Sequence, residues 1–260
     1  MLVYLDDIRL NAVCEGPPTA PPVVLIHGLG ADLTVWDGVV AALARWRVLR
    51  IDLRGHGGSD VPPPPYAMGA LIRDCERIMA HFGVAEAVVA GLGAGGLVAQ
   101  GLAVKRLDLV RGLVLSNTGT RLGTPDLWQR RIATVQDGGI AAILDATLAQ
   151  NLGPRWRQAA TLDTQRALLS QTDPAGWTGV AAAIAGSDFY QTTATLRLPT
   201  LVIAASDDAA TPPDMQRELA DLIPGAEFRL IQRAGHVAPL DQPEDFAAHL
   251  RGFLIRIGHL

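Results

Sequence analysis

A histidine and an aspartate close two apolar runs late in the chain, and that pairing is what general-base chemistry needs. Gln232-Arg233-Ala234-Gly235-His236-Val237 puts the histidine on a loop after the last apolar run and before a helix-period stretch. Leu201-Val202-Ile203-Ala204-Ala205-Ser206-Asp207-Asp208 is a buried-type run that ends in two carboxylates. A carboxylate bonded to one imidazole nitrogen sets the tautomer, and it stabilises the cation formed when the other nitrogen takes a proton. Spacing to Pro212 favours Asp208 for that role, with Asp207 as the second choice. His81, His249 and His259 fall in helical stretches or near the terminus and have no such context.

The segment from Val88 to Gln100 runs from a strand into a helix through Gly91-Leu92-Gly93-Ala94-Gly95. Small residues on both sides of such a turn let strand and helix approach closely. The pattern is the G-x-S-x-G frame of a nucleophile elbow, where the central residue holds a strained backbone. Gly91 and Gly95 fill the flanks, but Gly93 stands where the serine belongs. A second glycine turn, His27-Gly28-Leu29-Gly30, follows the run ending at Ile26, and the Leu29 N–H is a candidate oxyanion donor. The stretch Asp52 to Asp60 supplies turn glycines and polar groups that can brace the same end of a sheet, with His56 read as structural. Gly91 to Gly96 also satisfies G-x-G-x-x-G. A dinucleotide fingerprint needs an acidic residue about 20 positions on, and 112–116 carries none.

These residues need elements to hold them. Short apolar runs alternate with glycine turns and helix-period stretches, the pattern of a mainly parallel sheet flanked by helices. Strands are expected at 23–26, 48–51, 87–90, 112–115, 200–204 and 227–231, after an amino-terminal hairpin, and helices at 35–44, 68–82, 95–104, 213–223 and 243–255. Between 118 and 198 the strand rhythm gives way to helical segments. The expected organisation is a core of residues 1–118 and 199–260 with a helical cap of 119–198 folded over one end of the sheet. A pocket between cap and strand ends would be bounded by Gly93, Leu29 and Trp36; Trp128 and Trp177 either line its cap side or pack within the core, and Arg121, Arg130 and Arg131 are candidates by position alone to meet a carboxylate, a solvated helix face being the first reading for each.

Composition narrows the function classes. A chain of 260 residues suits one α/β domain, and a net charge of −4 with interspersed signs leaves no footprint for nucleic acid. Cys14 and Cys75 have neither metal-site nor redox-motif spacing. Neither a metal nor a cofactor is expected. The apolar runs are short of a membrane span and the first residues lack a leader pattern, so a cytoplasmic protein without membrane contact is the expectation.

Taken together, His27-Gly28-Leu29-Gly30, the stretch 52–60, the elbow, the aspartate loop and Gly235-His236 resemble the α/β-hydrolase fold over nearly the whole chain. Within it the chain most resembles the 3-oxoadipate enol-lactonases, notably in Gly96 to Ala103 and Leu113 to Thr118. The resemblance implies a mostly parallel sheet with a helical cap and a small ester or lactone substrate, one that could carry a carboxylate. It also implies an oxyanion hole of the Leu29 and Ala94 N–H groups, Asp208 and His236 as acid and base, and His27 and Gly28 beside the substrate. It gives Gly93 the nucleophile's position without a nucleophile, and Ser116, Ser206 and Thr118 do not share the elbow geometry. Three readings follow: a hydrolase scaffold with very low or no serine-type turnover, general-base chemistry by His236 and Asp208, or a non-enzymatic binder like the N-myc downstream-regulated family, which also resembles the chain in having glycine at the elbow's centre.

Overall fold

Parallel strands need long crossovers, and the helix-period stretches supply them. The computed structural model describes residues 1–152 and 160–260. Its strands are β1 (Leu2–Leu5), β2 (Ile8–Glu15), β3 (Pro22–Ile26), β4 (Arg47–Ile51), β5 (Ala87–Leu92), β6 (Val110–Ser116), β7 (Thr200–Ala205) and β8 (Glu227–Ile231). They form one sheet in the order β1-β2-β4-β3-β5-β6-β7-β8. β2 pairs antiparallel with β1 and β4, and every other pairing is parallel. This is an α/β-hydrolase fold. From β3 the chain turns to one side to form β4 and then crosses to the other to form β5, which makes a crevice at the carboxyl ends of β3 and β5.

The helices are α1 (Asp37–Val40), α2 (Met68–His81), α3 (Ala94–Lys105), α4 (Pro125–Gly138), α5 (Leu144–Asn151), α6 (Ala160–Gln171), α7 (Pro174–Ala185), α8 (Tyr190–Thr193), α9 (Pro213–Leu222), α10 (Ala238–Asp241) and α11 (Pro243–Arg256). Alternate residues of β3 face opposite ways. Val24 and Ile26 join a core with α2 and α3, whereas Val23 and Leu25 join one with α1 and α11. Both faces are covered, which is why β5 and β7 read as unbroken apolar runs.

The helix expected at 35–44 is instead the short α1 between two 3₁₀ turns, Leu33–Trp36 and Ala41–Leu43. Val35, Trp36, Val39 and Leu43 are all buried there, and the tighter pitch turns them onto the sheet over a short length. Between β6 and β7, α4 packs on α7 and α5 on α6. Trp128 and Trp177 from these helices extend the core on the α2–α3 side.

Candidate active site

The turn from β5 to α3 has no room for side chains at its flanks. A Cβ on Gly91 would lie 2.2 Å from the Gly95 carbonyl oxygen, and one on Gly95 would lie 2.3 Å from that of Ile26. Between them Gly93 adopts φ 52° and ψ −115°, a conformation that is costly for any residue with a side chain. Its N–H donates to the Ser116 carbonyl at 3.0 Å, and its own carbonyl accepts from Thr118 Oγ1 at 2.8 Å. These bonds aim the Cα at the histidine: a Cβ built on Gly93 would stand 3.1 Å from His236 Nε2.

His236 and Asp208 form the expected pair. Nδ1 of His236 lies 3.0 Å from Asp208 Oδ2 and 3.2 Å from Oδ1, so Nδ1–H donates to the carboxylate and Nε2 is the basic nitrogen. Asp208 is buried and accepts further bonds from the Ala210 and Thr211 N–H groups, Thr211 Oγ1 and Asn117 Nδ2. Burial pushes its carboxyl up, but the His236 charge and these donors outweigh burial and leave it below the ordinary carboxylate range. Burial likewise pulls His236 down, yet the charge and hydrogen bond of Asp208 hold it above the ordinary imidazole range. Asp207 points elsewhere, where Ser206 Oγ donates to its carboxylate at 2.9 Å.

The two candidate N–H donors border the same cleft as the histidine. His56 Nε2 accepts the Gly30 N–H at 3.0 Å and His27 Nε2 accepts the Leu53 N–H at 3.0 Å, which ties the β3 exit to the loop after β4. Asp52 fastens that loop by accepting the Leu33 and Gly58 N–H groups. The Leu29 and Ala94 N–H groups find no acceptor among the described residues. They border one cleft with His236.

The helices between β6 and β7 close over this cleft of about 270 Å³, bringing Trp128, Arg131, Thr147, Gln150, Asn151 and Trp177 to it. Arg131 lies 4.8 Å above the Trp128 ring and 5.5 Å from that of Trp177. It bonds Thr147 Oγ1 at 3.2 Å, and no carboxylate among the described residues pairs with it. Burial lowers its pKa. A smaller cavity on the other side of Leu29 and His236 is lined by Gly28, Gly30, Leu168 and Gln165. Both amide atoms of Gln165 are buried with no partner among the described residues.

Two of the expected substrate contacts are corrected. Trp36 lies in the α1–α11 core, 5.6 Å from the Phe246 ring, and borders neither cavity, because the first 3₁₀ turn carries it onto the opposite face of the sheet. His27 is fully buried with both ring nitrogens bonded, Nδ1 to the Gly28 carbonyl at 2.7 Å, so it braces the turn. Gly28 and Trp128 do reach the cavities. Arg121 bonds the Gly123 carbonyl and does not line the cleft, and Arg130 is exposed on α4. Sequence reasoning assigned no role to Asn117, Thr211 or Asn151. Asn117, with φ 48°, ties Asp208 to the Gly235 carbonyl, and the Asn151 carbonyl accepts the His236 N–H at 2.7 Å. A polar residue directly after a core strand was the available signal for Asn117.

A sharp strand-to-helix turn beneath a paired histidine and aspartate, with two N–H groups bordering the same cleft, is the plan of one fold family, and its pattern matches residues 21–243. The chain belongs to the α/β-hydrolase fold family. It is 28% identical to 3-oxoadipate enol-lactonase 1 of Acinetobacter baylyi over 98% of this chain and 96% of that one. The solved enol-lactonase from Burkholderia xenovorans superposes with a TM-score of 0.94 at 32% identity, over 98% of this chain and all 100% of its own. A thermophilic esterase from Thermogutta terrifontis follows at 30% identity and TM-score 0.91, over 96% of this chain and 94% of its own. The scaffold of this α/β-hydrolase is thus one that ester and lactone hydrolases use.

Proposed function

We propose that this α/β-hydrolase binds a small carboxylated ester or lactone, of the kind the enol-lactonases act on, between the strand ends and the helices over them, and that it has no serine-type turnover. One observation carries the reading: the Cα–Cβ direction of Gly93 points at His236 Nε2, 3.1 Å from where a Cβ would lie, while His236 is paired with Asp208 and borders one cleft with Leu29 and Ala94. A stripped site has no stability reason to keep a buried Asp208 served by four donors. Arg131 favours a carboxylate on the ligand, because a half-buried guanidinium without an acidic partner is costly until an anion pairs with it.

The test pairs the protein with its Gly93→Ser variant on 3-oxoadipate enol-lactone and a set of activated esters, with circular dichroism as the fold check. The variant is expected to turn over and to be labelled at position 93 by a phosphonate, which needs only a few tenths of an ångström of adjustment by the histidine. A folded variant inert to every substrate and to the label overturns the reading and leaves the site to a binder.

A further inference from the structure

His236 keeps a basic Nε2 aimed at a position that carries no hydroxyl, on the border of a cleft that admits a water. At the Cβ position of residue 93, the nearest described atoms beyond its chain neighbours are His236 Nε2 at 3.1 Å, His236 Cε1 at 3.7 Å and the Asn117 carbonyl oxygen at 3.8 Å. That point is only a bond length from the Gly93 Cα, so no water stands on it; with no side chain there, a water at non-bonded distance from the Cα can approach Nε2 from the cleft to hydrogen-bond length. The Leu29 and Ala94 N–H groups border the same cleft. We infer that a water molecule hydrogen-bonded to His236 Nε2 beside Gly93 is the nucleophile, so that this protein hydrolyses esters or lactones by direct water attack without an acyl-enzyme.

The inference rests on the proposed ester or lactone site, and its steps balance. Nε2 takes one proton from the water as the water oxygen bonds to the substrate carbonyl carbon. The carbonyl π pair moves onto its oxygen, which the Leu29 and Ala94 N–H groups hold. When that oxyanion collapses, the bond to the leaving oxygen breaks and the imidazolium returns its proton there. Ester plus water becomes acid plus alcohol, and a lactone opens to its hydroxy or keto acid. Asp208 keeps Nδ1–H bonded throughout and stabilises the imidazolium. A serine side chain at residue 93 would take the Nε2 hydrogen bond itself and keep the water from it, so glycine is the residue this route requires. The groups facing His236 are Asp208 from the loop after β7, Arg131 from α4 and Asp241 from α10, the two carboxylates raising its pKa and the arginine lowering it. The base form therefore grows as pH rises through a value above the ordinary imidazole range.

The test compares the full-length protein with Gly93→Ala, Gly93→Ser and His236→Gln on p-nitrophenyl acetate, each checked by circular dichroism. Gly93→Ala keeps the dyad and the Leu29 and Ala94 N–H groups but sets a methyl group 3.1 Å from Nε2, which bars the water's approach. Wild type is expected to turn over with no burst and no phosphonate label, with a solvent deuterium effect and a rate rising through one basic group. Gly93→Ala and His236→Gln should each lose about 10²-fold or more, the scale of general-base catalysis. His236→Gln leaves the elbow backbone untouched, so its result stands if the alanine variant does not fold. Gly93→Ala or His236→Gln as active as wild type overturns the inference, as does an inert wild type beside an active, labelled Gly93→Ser. That last pattern keeps the proposed site and rejects only the water route, whereas an inert, unlabelled and folded Gly93→Ser rejects both.

Discussion

Arg131 has the least compensated charge near the candidate site. Two indole rings and one hydroxyl stand in for the carboxylate that a half-buried guanidinium would ordinarily meet. Arg131→Met keeps the packed stem and removes the charge. Calorimetry with a dicarboxylate product such as 3-oxoadipate should show binding weakened about 10- to 100-fold, the worth of one charge-assisted contact, with neutral esters unaffected. Equal loss for neutral and charged ligands would make Arg131 a packing residue. Gly93 bears on stability as well as chemistry. With φ at 52°, Gly93→Ala should destabilise the fold by roughly 1–3 kcal/mol, read from the urea midpoint.

At the scale of elements, the loop from β8 to α10 decides where His236 sits. Asp241 Oδ2 accepts the Gly235 N–H at 2.8 Å from below, and the Asn151 carbonyl takes the His236 N–H from above. Burial pushes the Asp241 carboxyl up to about 6, against the Gly235 bond and the His236 charge that pull it down. A carboxyl raised in the folded state helps folding below its unfolded value, and that help is lost as pH rises through the folded one. Asp241→Asn can still accept the Gly235 N–H. It should therefore stabilise the protein above pH 6, by up to about 3 kcal/mol, and leave it unchanged near pH 4. Denaturation midpoints that move equally at both pH values would show that charge is not the cause. With the Asp241 charge removed, the pKa of His236 should fall in the variant. The β5–α3 turn is the rigid counterpart: Gly95→Ala places a Cβ against two carbonyl oxygens of the β3 exit and should cost at least about 2–3 kcal/mol.

Across the whole molecule, the carboxyl end of the sheet is braced by a histidine that must stay neutral, His56. His56 accepts the Gly30 N–H through Nε2, and burial drives its pKa down to about 3. For a histidine depressed in the folded state, stability is present above the unfolded pKa and is lost as pH falls below it. The protein should lose roughly 3 kcal/mol from this group between pH 7 and pH 4. His56→Asn, which can accept the same N–H, should flatten that part of the urea-midpoint profile, and an unchanged slope would place the acid sensitivity elsewhere.

Much of this was legible along the chain because it depends on local rules. Buried parallel strands must be apolar on both faces, so the runs at β3, β5 and β7 mark themselves. An elbow needs flanking residues without side chains, so Gly91 and Gly95 frame Gly93 in any reading of the sequence. The order of elbow, aspartate and histidine is likewise linear information. Other assignments depend on direction. Whether Asp207 or Asp208 faces the histidine turns on one residue of strand phase and on Asn117, Thr211 and two backbone N–H groups gathered from separate loops. Trp36 could be placed near the strand end but not on a face, and the 3₁₀ turn put it into the opposite core. Of three arginines equally placed in sequence, packing of α4 against α7 turned Arg131 alone to the cleft with His236. The sheet, its turns and the lack of a hydroxyl at residue 93 follow from side-chain size and polarity in linear order. Which side chains meet depends on strand phase, helix rotation and contacts between residues far apart in the chain, and those exist only once it is folded.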